Sequence, residues 1–262
     1  DTCRRQRQMC IRDRATVLTR HGVSRDFYPV PVGVRRAVEP VDPLWLRKVG
    51  PLGFPFRVLG LHSWLQRHQP DLVLGMTTLP AIKLLLAVRG LACPCIVSER
   101  NFPPLKKPGW PWRILRRMTY PWAQLHLVQT KATGAWLAQH LNARPQLCLA
   151  NPVAWPLPRF APDPDPAAWL ASRAVCPDHP VLLAVGTKAH QKGFDRLVAM
   201  FALLMQRHPT LQLVILGMDE ALCHGVDQQF ELRQLLPQAS RRLHFPGRVG
   251  NVQDWYERAD LF

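Results

Sequence analysis

From residue 56 onwards the apolar positions fall into two alternating rhythms. In FRVLGLHSWLQRHQ, Val58, Leu61 and Leu65 recur at a spacing that makes one face of a helix apolar. PDLVLGM follows, a short apolar run between turn formers, and reads as a strand. The pairing then repeats. PAIKLLLAVRGL predicts a helix and CPCIVSE a strand; WRILRRMTYPWA predicts a helix and QLHLVQT a strand. KATGAWLAQHLN, a helix, and PQLCLANPV, a strand, close the series. Strands of continuous Val, Ile and Leu separated by helices predict a parallel sheet covered on both faces.

The rhythm stops at NPVAWPLPRFAPDPDP, residues 151–166, whose six prolines argue against a sheet interior or a helix. It resumes with a strand in VLLAVG, a helix over 194–208, a strand in LQLVILG and a helix near 228–236. RLHFPG reads as a strand, VQDWYERA as a helix, and the closing DLF as the opening of a further strand. The fold class expected is α/β, with two doubly wound halves. The first domain spans 15–150, a Pro-rich linker 151–176, and the second domain 177–262.

Composition narrows the class. At 47% hydrophobic and 20% charged residues, the 262-residue chain is globular. The longest apolar stretch, 72–98, is interrupted by Pro80, Lys83 and Arg89, so no membrane span is expected, and no secretory signal opens the chain. Seven cysteines, with Cys93 and Cys95 close together but no CxxC, suggest reduced thiols in a cytosolic compartment. A net charge of +16 favours polyanionic partners: nucleic acid, an anionic membrane or phosphorylated small molecules. Residues 1–14 read as a leader foreign to the rest. They carry five Arg and two Asp, a net +3, so the remainder still carries +13.

Candidate chemistry concentrates in LLAVGTKAHQKGFDRLV. The apolar run breaks at Gly186, passes through Thr187, Lys188, His190, Gln191 and Lys192, and turns at Gly193 into a helical pattern at Phe194, Leu197, Val198 and Phe201. Ligands of open parallel sheets sit outside the carboxyl ends of the strands. A helix N-terminus there offers free N–H groups and partial positive charge to phosphate. Gly186 and Gly193 let the backbone approach an anion while Lys188 and Lys192 add full charges, which suits a diphosphate. The pattern is neither a P-loop nor a dinucleotide fingerprint. A βα loop with solvated lysines is the alternative.

Together with RLHFPGRVGNVQDWYERADLF, this stretch resembles the donor-binding half of family 4 retaining glycosyltransferases of the GT-B fold. CIVSERNFPP, LRRMTYPWAQLHLVQTKA and ANPV resemble the acceptor half of the branch that extends lipid-linked bacterial glycans. The resemblance implies two Rossmann-like domains facing a cleft, both incomplete here. It implies transfer of a hexose or N-acetylhexosamine from a nucleotide-diphosphate sugar, UDP-linked, to an undecaprenyl-diphosphate-linked or other glycan acceptor. In the family motif G-R-x-x-x-x-K-G, Lys192 and Gly193 match, whereas Thr187 stands in place of the arginine and Lys188 offers its charge one residue on. Gly247, Arg248 and Val249 take the place of the loop that lies against the nucleobase, with Val249 packed on its face. The resemblance implies no cofactor beyond the donor and no metal, since lysines and N–H groups neutralise the leaving diphosphate. The glutamates of the family's E-x7-E motif would follow ADLF, so catalytic residues are unassigned. The 262 residues alone are expected to bind nucleotide weakly, dissolve poorly and show no sugar transfer.

Two further segments bear on partners. SERN ends a strand, and Glu99, Arg100 and Asn101 are acceptor-side candidates; a local Arg–Glu pair is the alternative. Residues 103–122 carry Lys106, Lys107, Arg113, Arg116 and Arg117, no acid and three tryptophans, and read as an anionic membrane contact. A solvated face with tryptophans in the core competes with that reading. A nucleic-acid patch is disfavoured because no fold signature accompanies it. The ten histidines show no ligand spacing, so no metal is expected. The location implied is cytoplasmic, peripheral on the inner face of the cell membrane. A non-catalytic nucleotide-sugar-binding module and a basic RNA-binding protein are the other function classes.

Overall fold

The computed structural model describes residues 15–19, 33–39, 50–106, 108–151, 153, 155–157, 159–160, 164–218 and 228–262. The chain divides into two compact units, Asp1–Pro152 and Val153–Phe262.

The first unit begins with β1 (Ala15–Thr19) and β2 (Val34–Val38), which pair in parallel as a two-stranded sheet. The hydrophobic pattern did not announce these strands, because VRRAV alternates too weakly to stand out. The expected alternation follows: α1 (Phe54–His68), β3 (Val73–Met76), α2 (Thr78–Ala87), β4 (Cys95–Glu99), α3 (Trp110–Thr119), β5 (Leu125–Val128), α4 (Lys131–Leu141) and β6 (Gln146–Cys148). The four later strands lie in chain order, all parallel. Local signals set the boundaries. Thr130 caps α4 by accepting the Thr133 N–H at 3.1 Å, and Asn142 ends it in the left-handed region. Leu65, Ile82, Leu85, Val97, Tyr120 and Leu137 form the core. Leu74 and Met76 on β3 and Leu147 on β6 are exposed, so the expected cover on both faces of this sheet is not met there.

The second unit contains α5 (Pro166–Ala171), β7 (Val181–Val185), α6 (Ala189–Lys192), α7 (Phe194–Arg207), β8 (Gln212–Leu216), α8 (Gln228–Gln234), β9 (Leu243–Gly247) and α9 (Val252–Arg258). Its three strands are parallel in the order β7-β8-β9, and both faces are covered. Leu213 and Ile215 point into one cluster with Val198 and Phe201, while Val214 and Leu216 point into another with Leu170 and Trp255. The closing DLF reaches the sheet: Leu183 N–H donates to Leu261 O at 2.8 Å. Part of the stretch expected as a linker is helical. Pro166 opens α5, where its missing N–H costs nothing, and Asp165 accepts the Ala168 N–H at 2.7 Å. Leu170 and Val175 then anchor it in the core.

Candidate nucleotide-diphosphate site

Three neighbouring strands of the second unit stop at the same level, each on a glycine. Gly186 N–H donates to Leu216 O at 2.9 Å, and Gly217 N–H to Gly247 O at 2.7 Å. At Gly217, with φ of +87°, an added Cβ would lie 2.9 Å from Gly186 O. At Gly186 it would lie 2.7 Å from Lys192 Cγ and 3.0 Å from Phe194 Cζ. Backbone therefore excludes a side chain at Gly217, Lys192 and Phe194 crowd one at the buried Gly186, and at Gly247 only the positive φ disfavours one. Gly217 escaped the sequence reading, although it follows the apolar run of β8 as Gly186 follows that of β7.

The loop above is more ordered than expected. Lys188 is extended, and Lys192 N–H donates to Lys188 O at 3.1 Å to close α6, a single turn. Gly193, at φ +71°, ends that turn and begins α7 in one step. Thr187, Lys188, His190 and Lys192 are exposed, and the stem of Lys192 passes over Gly186. Among the described residues neither lysine side chain has a hydrogen-bond or ion-pair partner. Cationic charge, orphan N–H groups of a 14-residue helix and side-chain-free backbone thus adjoin one another.

The third part of the expected donor site differs. Gly247 is left-handed, at φ +81°, and Arg248 is half-buried. Val249 is only 3% exposed and packs with Leu170, Leu216 and Trp255. Its side chain belongs to the core, so the expected packing of Val249 on a nucleobase is corrected.

SERN is corrected more strongly. The Glu99 carboxylate is 1% exposed and accepts from Arg116 Nη2 at 2.7 Å, Tyr120 Oη at 2.8 Å and Thr78 Oγ1 at 3.2 Å. Burial, with the Glu99 charge beside it, pushes the Tyr120 phenol well up, so it remains a donor. The Arg116 guanidinium also lies 4.8 Å from the Tyr120 ring centre. Glu99 therefore fastens α3 to β4 and is not free for an acceptor. Arg100 hydrogen-bonds Asn151 Oδ1, tying the loop after β4 to the segment after β6, and Asn101 is half-buried.

The sequence matches Glycosyltransferase Family 4 over residues 5–149 and Glycosyl transferases group 1 over residues 179–262. The chain belongs to glycosyltransferase family 4. No curated protein matches it in sequence. Its structure is similar to sucrose-phosphate synthase from Thermosynechococcus elongatus, with TM-score 0.69 and 16% identity over 94% of this chain and 63% of that one. It is also similar to Anabaena HepE in complex with UDP-glucose, with TM-score 0.64 and 17% identity over 87% of this chain and 58% of the other. A glycosyltransferase from Rickettsia africae gives TM-score 0.61 and 11% identity over 94% and 62%. The chain thus spans less than two thirds of these proteins. The shared fold is GT-B. The family match begins at residue 5, inside the stretch expected to be a foreign leader, which lies outside the described residues.

In this family 4 chain the basic segment is split by α3. Trp110, Ile114 and Met118 recur every fourth residue and are exposed, Trp110 at 73%; Arg113 and Arg117 stand exposed beside them. Arg116 faces inward on Glu99. Trp112 is half-buried edge-on to Phe54 at 4.7 Å, and Trp122 is half-buried under Arg89. Lys107 lies outside the described residues. No helix among the described residues is long and apolar enough to cross a membrane. No group of three or more His, Cys, Asp or Glu among them could hold a metal ion.

Proposed function

We propose that this chain binds the diphosphate of a UDP-sugar at the β7–α7 loop and serves transfer of a hexose or N-acetylhexosamine, with retention, to an undecaprenyl-diphosphate-linked or other glycan. The observation that carries the reading is the pair of exposed lysines, without side-chain partners among the described residues, over glycine-ended strands at a helix N-terminus. Fixed cations and N–H groups there would neutralise charge as it develops on the departing diphosphate, the largest single contribution in many transfer reactions. Family membership and the UDP-glucose bound by HepE support the donor class. No cofactor or metal enters this reading. The α3 face supports docking at the inner, anionic surface of the cell membrane: Trp110, Ile114 and Met118 would enter the lipid boundary while Arg113 and Arg117 meet headgroups.

The test is a titration with UDP-glucose, UDP-N-acetylglucosamine and single-stranded RNA near physiological salt. Saturable UDP-sugar binding, with RNA binding that collapses as salt rises, supports the reading. Tighter, salt-resistant RNA binding would make it a nucleic-acid protein. In a chain that also carries the glutamate motif, transfer of label to a lipid-linked glycan separates a transferase from a non-catalytic binding module.

A further inference from the structure

We propose that Arg159, Phe160 and Pro164 strap the loop that leaves β9, and that nucleotide binding at the strand ends tightens this strap. The inference rests on the nucleotide reading of those ends. Arg159 and Phe160 lie near the start of the second unit, and Phe160 N–H donates to Gly250 O at 2.8 Å. Asn251, the next residue of the loop, is wholly buried. Its side-chain amide donates to Pro164 O at 3.1 Å and to Asp254 Oδ2 at 3.0 Å. The other Asp254 oxygen pairs with Arg159 Nη2 at 2.5 Å, and Glu257 lies 3.8 Å from the same nitrogen.

These fastenings differ in strength. Breaking the Asn251 bond would leave a buried amide unsatisfied, which costs more than the bond itself contributes. The Arg159 side chain is 55% exposed, and an ion pair so open to water contributes little. The strap is therefore firm at Pro164 and loose at Arg159, able to peel from one end while the sheet stays intact. Peeling matters to a ligand because of where the loop stands. Gly217 N–H donates to Gly247 O at 2.7 Å, so the loop leaves the carboxyl edge, where ligands of parallel sheets sit. With the strap closed, Gly250 O is engaged and the loop is preformed. A nucleotide that touches the loop then pays least to order it, so binding draws the strap shut and a looser strap weakens binding.

The test is amide hydrogen exchange on the 262-residue chain, with and without saturating UDP, beside UDP calorimetry. The parent is compared with Arg159→Ala and Arg159→Lys. UDP should slow exchange at Phe160 in all three. It should leave unchanged the His208 amide, which donates to Leu204 O just past the far end of α7. Without UDP, Arg159→Ala should speed Phe160 exchange about twofold to fivefold, the range of an exposed ion pair, and it should weaken UDP by no more than that factor. Arg159→Lys should restore part of both. If the parent binds UDP while Phe160 exchange is unchanged, the coupling is refuted and the nucleotide reading stands. Equal slowing at Phe160 and His208 would mean general stabilisation of the unit and would also overturn the coupling. If the parent binds no UDP, the nucleotide reading falls and the coupling with it.

Discussion

At the end of β4 the Glu99 carboxylate is buried beneath three donors; at the end of β7 Lys188 and Lys192 stand exposed without side-chain partners among the described residues. Both sites are charged residues leaving a parallel strand, and both resemble family motifs. The protein itself answers the first charge, so removing a partner threatens the fold. Nothing among the described residues answers the second, so its removal should touch binding alone. Whether a charge is already neutralised separates a structural anchor from a ligand site better than its position at a strand end.

The largest effect should come from Arg116→Ala, which leaves the buried Glu99 carboxylate without its counter-charge. A loss of about 3–5 kcal/mol is expected in urea unfolding, with UDP affinity of the folded fraction unchanged. Unaltered stability would remove Glu99 from the scaffold and break the contrast. Acid comes next. Burial lowers the His244 imidazole to about 4, aided by the charges of Arg173 and Arg233, and its Nε2 meets Gln212 Oε1 at 2.9 Å. The folded state holds it neutral, whereas an unfolded chain takes up the proton near the ordinary value of about 6.5. Stability from this group is therefore complete above about pH 6.5 and lost as pH falls towards 4, by up to about 3 kcal/mol. Thermal melts across that window should show the fall, and His244→Gln should flatten it. A parent curve already flat would refute the buried, neutral histidine.

A smaller effect separates the two kinds of arginine within α3. Arg113→Gln/Arg117→Gln should lower retention on anionic liposomes roughly thirtyfold, at about 1 kcal/mol per basic residue, with unchanged melting. Adding Arg116→Gln should lower the melting temperature instead. Equal retention by the double variant would make the exposed face a solvated one.

What could be read from the sequence was local. The strand–glycine–lysine–helix succession around Gly186 and Gly193 lies within one short stretch, and periodicity located its strand and helix. The Glu99–Arg116 pair could not be read, because its partners are brought together by packing of α3 on β4, and the adjacent Arg100 was the obvious wrong choice. Proline count hid α5, since Pro166 sits at the one helical position that tolerates it. Val249 follows a strand-ending glycine, but which way its side chain turns is decided by Leu170 and Trp255 from distant segments. Gly217 was visible as a residue and acquired meaning only beside Gly186 O.

Calorimetric titration of UDP and uridine into the parent and Lys192→Ala tests most directly whether the loop between β7 and α7 holds a diphosphate. UDP should bind the parent more tightly than uridine does. Lys192→Ala should lose about 1.5–3 kcal/mol of UDP binding, tenfold or more, with uridine affinity and melting temperature unchanged. Equal UDP affinity in the parent and Lys192→Ala would contradict it.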